Sequence, residues 1–326
     1  MPRALITGSG GQDGVYLTRL LHGKGYTVSG IDLRDRYGEV DSGYPDDVTN
    51  RSAIREIIAE SQPDEVYFLA AFHHSSEGPQ IAEEEVLATS FDVNTLALNH
   101  VLGALADLRP AARLLYASSS RVFGEPTDFV QNEDARIEPV EPYGISKAAG
   151  MRVCRYWRRV RGLFAVSAIL YNHESPLRPP CFLSQKVVQA SVKAQGGRVE
   201  LRLGNPLAQV DWGHAADTVR AMWLMLQRPD PADYVVATGQ LHTVRDWLDE
   251  AFEMLSLDCR VTVAEDQSLL NRSRPTAVLC GDSTRLRQAT GWRPEFTFQA
   301  LVRDMVRTEL ARHGVGPVTE PTGSSK

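Results

Sequence analysis

The stretch Ala4-Leu5-Ile6-Thr7-Gly8-Ser9-Gly10-Gly11-Gln12-Asp13-Gly14 limits the fold more than any other part of the chain. A short apolar run feeds a glycine-rich turn, and Tyr16, Leu17, Leu20 and Leu21 follow at helical spacing. Strand, tight turn and helix in that order open a βαβ unit, whose helix N-terminus offers free N–H groups to an anion. Gly8, Gly11 and Gly14, in a G-x-x-G-x-x-G pattern, let the backbone turn, approach a pyrophosphate and pack helix on sheet. A dinucleotide site is expected there.

Further strand-like runs recur at Thr27–Ile31, Glu65–Ala70, Arg113–Ala117 and Ala165–Leu170, with helical patterns between them. Strand alternating with helix predicts an α/β chain built on a Rossmann-like, doubly wound parallel sheet, whose ligands gather at the strands' carboxyl ends. Leu69-Ala70-Ala71, Ser118-Ser119-Ser120 and Tyr171-Asn172-His173 stand at those ends. Beyond about residue 175 the pattern loosens, with Pro176, Pro179 and Pro180 before Phe182 and a strand-like run at Val199–Leu203. The expected division is a dinucleotide domain over 1–175, with a later segment returning to it around 205–225, and a smaller C-terminal α/β substrate-binding part over 176–313. The Gly-, Pro-, Thr- and Ser-rich tail 314–326 is expected to be disordered.

Asp32 ends the second strand, where a carboxylate can accept from both adenosine ribose hydroxyls and repel a 2′-phosphate. NAD is therefore favoured over NADP, although Arg34 and Arg36 are near enough to keep the phosphate form open. Asp47 and Val48 suit the adenine. Downstream, Tyr143 and Lys147 lie four apart and share a helical face. A lysine ammonium beside a phenol favours phenolate, lowering the Tyr pKa from about 10 and making a general base. The plain alternative is a solvated helix surface.

With 326 residues, 43% of them hydrophobic, the chain can bury one large or two modest cores. A net charge of −6 argues against nucleic acid and against a basic membrane-facing surface. No run approaches the ~18 apolar residues of a membrane span, and no apolar leader precedes the first strand. Cys154, Cys181, Cys259 and Cys280 lack metal-ligand spacing, so reduced thiols, no metal and cytoplasmic residence are expected.

The chain resembles the extended short-chain dehydrogenase/reductases, and among them GDP-mannose 4,6-dehydratases. The likeness is carried by Leu5-Ile6-Thr7-Gly8 through Gly11-Gln12-Asp13-Gly14, Leu69-Ala70-Ala71, Tyr143 with Lys147, Asn172-His173-Glu174-Ser175-Pro176, Asp211-Trp212-Gly213-His214-Ala215 and Gly291-Trp292-Arg293-Pro294. It implies a bound nicotinamide that oxidises a nucleotide sugar at C4, with Tyr143 as base, Lys147 tuning it and holding ribose, and Ser119 sharing the substrate hydroxyl. It also implies cofactor contacts from Gln12, Asp13, Tyr171 and His173, and a homodimer or homotetramer through helices near 94–105 and 147–161, whose apolar spacing could equally be core.

In the dehydratases a Glu two residues after the hydroxyl residue removes the C5 proton; here that position is Arg121. Arginine stays protonated and cannot act as an ordinary base. The loop Ser118-Ser119-Ser120-Arg121-Val122-Phe123-Gly124 looks instead like that of nucleotide-sugar 4-epimerases, which need no carboxylate. Arg121 reads as a solvated cation, a clamp on a polyhydroxy or anionic sugar, or an enolate stabiliser. Asp32 departs from the family's NADP-favouring chemistry, and Val210 stands where the dehydratases usually carry an Arg.

Lys186 and Arg274 match positions that meet the nucleotide diphosphate, with surface charge as the alternative. Asn172 and Ser120 are expected at the sugar. His73 and His74 lie near the expected nicotinamide and carry no assigned role, and His214 is expected to be packed and hydrogen-bonded. The leading expectation is an NAD-dependent nucleotide-sugar epimerase, of a GDP-sugar, acting through transient C4 oxidation. The alternatives are a 4,6-dehydratase using another base such as Glu125, a 4-keto-sugar reductase, and a non-catalytic dinucleotide-binding protein.

Overall fold

Strand β1 (Arg3–Thr7) is buried from its second residue onward and runs through the glycine turn into helix α1 (Gln12–Gly23), which turns Val15, Leu17 and Leu21 inward. The computed structural model describes residues 1–33, 38–74, 81–257, 261–265 and 278–314. The chain continues through β2 (Thr27–Ile31), β3 (Ser42–Tyr44), α2 (Arg51–Ser61), β4 (Glu65–Phe68), α3 (Glu83–Phe91), α4 (Ala97–Leu108) and β5 (Arg113–Ser119). Next come β6 (Val130–Gln131), α5 (Pro142–Arg161), β7 (Phe164–Leu170), β8 (Asn172–Glu174), α6 (Leu183–Lys193), β9 (Val199–Leu203), β10 (Gln209–His214) and α7 (Ala215–Leu226). Last are β11 (Tyr234–Val236), β12 (Leu241–Thr243), α8 (Val244–Leu255), β13 (Val261–Glu265), β14 (Cys280–Gly281), α9 (Thr284–Thr290) and α10 (Phe298–Arg312).

Seven described strands form one parallel sheet in the order β11-β7-β5-β4-β1-β2-β3. The chain winds outward from β1 to β3 and then from β4 to β11 in the other direction. The switch point thus lies between β1 and β4, where Thr7 pairs with Phe68, and a crevice opens beyond those carboxyl ends. Side chains alternate across the sheet. Leu5, Phe68 and Tyr116 pack under α2, α4 and α5, while Ile6, Tyr67 and Leu115 pack under α1 and α7.

The smaller part is built on β12-β10-β8 and the β13-β9 pair, with α6, α8 and α10 closing its core. Trp247 meets Phe298 edge-on at 5.4 Å and Trp212 edge-on at 5.7 Å, so interlocked aromatics fill that core. The chain returns to the main sheet as α7 and β11, Ala215 to Val236, whereas 209–214 is β10 of the smaller part. Arg34, Arg36, Cys259, Arg274 and residues 315–326 lie outside the described residues.

Candidate active site

The glycine turn is held by its own backbone: Gly8 N–H donates to the Ile31 carbonyl at 2.7 Å and Gly11 N–H to the Gly8 carbonyl at 3.1 Å. A Cβ on Gly14 would stand 2.5 Å from the carbonyl oxygens of both Gly8 and Ser9, so α1 can start this close to the turn only with glycine there. Asp32 follows β2, and its carboxylate accepts the Gly10 N–H at 3.0 Å. Across the switch point, Leu69 and Ala70 N–H groups donate to the Thr7 carbonyl and hydroxyl at 3.1 and 3.2 Å, and Ala71 is exposed. A helix N-terminus behind a glycine-rich turn, with a carboxylate one strand away, fits a dinucleotide.

Gln12 and Asp13 close on the segment after β7. Gln12 Nε2 donates to the His173 carbonyl at 3.2 Å, and Ser175 Oγ donates to Gln12 Oε1 at 2.8 Å. His173 Nε2 lies 2.8 Å from Asp13 Oδ2. Gln12, Asp13 and His173, expected to contact cofactor, thus spend these polar atoms on a clasp between the glycine turn and β8. Burial acts to raise the Asp13 carboxyl, but the charge and hydrogen bond of His173 outweigh it and hold it below the usual range. His173 is raised in turn: burial opposes its charge, and Asp13 overrides burial.

Helix α5 starts with Pro142 and ends at Gly162, and it carries Tyr143 and Lys147 on one face against β5 and β7. Lys147 is 1% exposed and donates to the Ala117 carbonyl at 2.8 Å, with its ammonium 5.6 Å from the Tyr143 ring centre. Ser119, the last residue of β5, accepts the Arg121 N–H at 3.2 Å and hydrogen-bonds Tyr143. The expected lysine-depressed phenol is not what the structure carries. Burial pushes Tyr143 up to about 12, opposed by Arg178 and reinforced by Glu141, and burial holds Lys147 down to about 7. Desolvation is the largest cause of the Tyr143 shift and the sole cause of the Lys147 shift.

Three residues of this site were not singled out from sequence. Asn94 sits in a π-helical turn, Asp92–Leu96, between α3 and α4. Its amide accepts the Phe72 N–H at 2.9 Å and donates to the Phe72 carbonyl and Ser146 Oγ at 3.1 and 3.0 Å, tying the loop after β4 to α5. A polar residue inside an apolar helical run was the available signal. Arg178 stacks on the Phe182 ring at 3.9 Å. Phe182 in turn stacks on His73 at 6.3 Å, and His73 meets Tyr143 edge-on at 4.9 Å. Glu141 is the third. Arg121 is neither a solvated cation nor a free clamp, because its Nε and Nη2 donate to the two Glu141 oxygens at 2.7 and 3.1 Å.

Other expected contacts fall differently. Ser120 and Tyr171 are 2% and 4% exposed, and the Tyr171 hydroxyl donates to Gln131 Oε1 at 3.0 Å. The Val48 side chain packs into the core, and Asp47 accepts from the Thr49 N–H and hydroxyl, each at 2.9 Å. Asn172 is exposed on β8, and Lys186 is half-buried on α6. Glu125 is exposed. Val210 pairs with His242 in the smaller part. His214 is packed as expected: Nδ1 accepts the Ala216 N–H at 3.0 Å, which leaves Nε2–H for Asp304 at 3.2 Å, and the ring stacks on Phe296.

A family profile described as GDP-mannose 4,6 dehydratase matches residues 5–305. "GDP-mannose 4,6 dehydratase 2" of Arabidopsis thaliana is 38% identical over 330 residues, covering 94% of this chain and 86% of the relative. Human "GDP-mannose 4,6 dehydratase" is 34% identical, covering 94% and 91%. Among solved structures, UDP-glucose 4-epimerase of Thermotoga maritima superposes with a TM-score of 0.83 at 20% identity over 96% of this chain and 99% of that one. A dTDP-glucose 4,6-dehydratase of Bacillus anthracis, solved with NAD, does so at 0.80 and 17% identity over 96% and 98%. These structures share the fold with this chain, and the profile and the relatives carry the assignment: the chain belongs to the GDP-mannose 4,6-dehydratase family.

Proposed function

We propose that this enzyme uses bound NAD to oxidise a GDP-hexose at C4 and releases a 4-keto-6-deoxy sugar nucleotide. The observation that carries the reading is the convergence of Ser119, Tyr143 and Lys147 at the end of β5 and the start of α5, beside the glycine cradle. When bound, NAD supplies the electron acceptor for C4 and a positive charge. Ser119 holds the C4 hydroxyl and Tyr143 takes its proton. Lys147, held near 7, changes charge close to neutrality and so can balance a Tyr143 phenolate. Asp32 holds the adenosine ribose and disfavours a 2′-phosphate. Asn172 and Lys186 are assigned to the sugar nucleotide.

GDP and dehydration are supported by relatives bearing the dehydratase name at 38% and 34% identity. NAD is supported by Asp32 and by the structural neighbour solved with it. The division assigned is 1–175 with Ala215 to Val236 for the dinucleotide, and the smaller part for the sugar nucleotide. Exposed Leu96, just before α4, and Tyr156 and Val160 on α5 support a homodimer through these helices.

A second reading, C4 epimerisation, is favoured by Arg121, whose guanidinium cannot take a proton. Incubation with GDP-mannose in deuterated water, followed by mass spectrometry, separates the two. Loss of water with one deuterium at C5 supports dehydration, and unchanged mass without deuterium supports epimerisation. A substrate that stays unaltered, with no change of the bound NAD, sinks both.

A further inference from the structure

Once a sugar carries a ketone at C4, its C5 proton is acidic, and dehydration requires a side chain to take it. The groups of the oxidation step are engaged elsewhere: Lys147 Nζ with the Ala117 carbonyl, Ser119 Oγ with the Arg121 N–H, and Tyr143 with the hydroxyl proton. Asp13 is held by His173, and Asp32 lies beyond β2 at the glycine turn. Glu141 differs from both. It precedes Tyr143 by two residues at the N-cap of α5, its side chain is 12% exposed, and its charge acts on the Tyr143 phenol more strongly than that of Asp13.

The position of Glu141 is built from two sides. Arg121 grips both carboxylate oxygens, at 2.7 and 3.1 Å, from the 3-10 turn Ser120–Phe123. Gly144 lets α5 press on that turn, since a Cβ there would stand 2.5 Å from the Arg121 carbonyl oxygen. A bidentate arginine fixes the plane of a carboxylate as well as its place. The turn bearing Ser119 and the helix start bearing Tyr143 are thereby locked together, with one carboxylate between them.

We propose that Glu141 is the base that removes the C5 proton of the 4-keto sugar, with Arg121 as its holder and as the cation that steadies the enolate. The proposal rests on the dehydratase reading above. As the proton passes from C5 to Glu141, the negative charge passes from the carboxylate to the enolate oxygen, and Arg121 remains beside it as the counter-charge. The C5–C6 double bond then forms while the C6–O bond breaks, and the proton on Glu141 leaves with the hydroxide as water. Bound NAD would hold the hydride from C4 and supply it to C6, and the proton that Tyr143 took from the C4 hydroxyl is delivered to C5. The sum is one 4-keto-6-deoxy sugar, one water and unchanged NAD.

The test uses the full chain with its bound NAD and GDP-mannose in deuterated water. Glu141→Gln keeps the hydrogen-bonding shape but cannot take the proton. Its NAD content and its calorimetric Kd for GDP-mannose are expected to match the parent, and NADH is expected to form and accumulate. C5 deuterium incorporation and water loss are expected to fall by about 10² or more.

In Arg121→Glu/Glu141→Gln the carboxylate moves across the pair. Glu Oε and Arg Nε are equally many bonds from Cα, so the new oxygen stands one hydrogen bond from the old. Partial return of C5 exchange is expected. C5 exchange at the parent rate in Glu141→Gln overturns the proposal. So does a parent enzyme that forms NADH without C5 exchange, which leaves C4 oxidation standing. A parent that neither loses water from GDP-mannose nor exchanges its C5 hydrogen, and in which Glu141→Gln accumulates no NADH, overturns the dehydratase reading and this proposal with it.

Discussion

His173 is clamped between Asp13 and the Tyr171 carbonyl, with Nε2 2.8 Å from Asp13 Oδ2 and Nδ1 2.8 Å from the backbone oxygen. Both partners accept when Asp13 is ionised, so the pair favours the doubly protonated, charged imidazole. The signs follow from the two shifts. His173 is raised, so its contribution is complete below its unfolded pKa of about 6.5 and is lost as pH rises through the folded value. Asp13 is lowered, so its contribution is complete above about 3.9 and is lost as pH falls through the folded value. His173→Asn should therefore destabilise most between about pH 4 and 6.5, by roughly 3 kcal/mol at most, since both side chains keep some exposure. Urea unfolding across pH reads this directly, and a deficit independent of pH would count against the charged pair.

Lys147 gives the opposite slope. Its pKa falls to about 7 on burial, whereas the unfolded chain holds that proton to about 10.4. Between those values the unfolded state binds more protons, so stability rises with pH. Lys147→Met should flatten the rise, again read by urea unfolding on either side of pH ~7. Tyr143→Phe is expected to lower NADH formation by about 10² to 10⁴ while leaving NAD content unchanged.

Most of the central sheet was legible because its strands are long apolar runs. Thr27–Ile31 is β2 itself, and Arg113–Ala117 extends only to Ser119 in β5. The three-residue strands were not. Tyr234–Val236 carries too little pattern to predict, and it joins the sheet because β7 offers a free edge. The glycine turn, Ser119, Tyr143 and Lys147 could be named from residue type and order. The partner of Arg121 could not, since residues 20 apart in sequence meet only through the packing of α5 on the turn after β5. Arg121 taken alone speaks against dehydration, and Glu141, the carboxylate proposed in its stead, comes beside it only in the fold.

Two glycines of α1 should part company on substitution. Gly14→Ala forces a Cβ to 2.5 Å from two backbone carbonyls, whereas Gly23 has nothing within 4 Å of the added atom. Overpacking against rigid backbone costs about 1–3 kcal/mol, and a helix gains up to ~1 kcal/mol from Ala in place of Gly. Gly14→Ala is expected to lower the melting temperature and to strip NAD on gel filtration. Gly23→Ala is expected to be neutral or stabilising with NAD retained. Equal retention in both variants would mean that the turn tolerates displacement.

Asp32 holds the glycine turn and is assigned the adenosine ribose, and one substitution can separate the two. Its Oδ2 already accepts the Gly10 N–H at 3.0 Å, so the carboxylate steadies the glycine turn whether or not a ribose is present. A hydrogen bond to a charged acceptor is worth about 1.5–3 kcal/mol, so Asp32→Ala should weaken NAD binding by about tenfold to a hundredfold. Removing the carboxylate also removes its repulsion of a 2′-phosphate, so NADP should lose less or gain. Fluorescence titration of the two cofactors against parent and variant gives the ratio of their affinities. A parallel loss for both would mean that Asp32 acts only through Gly10, whereas a ratio shifted toward NADP means that the carboxylate itself selects the cofactor.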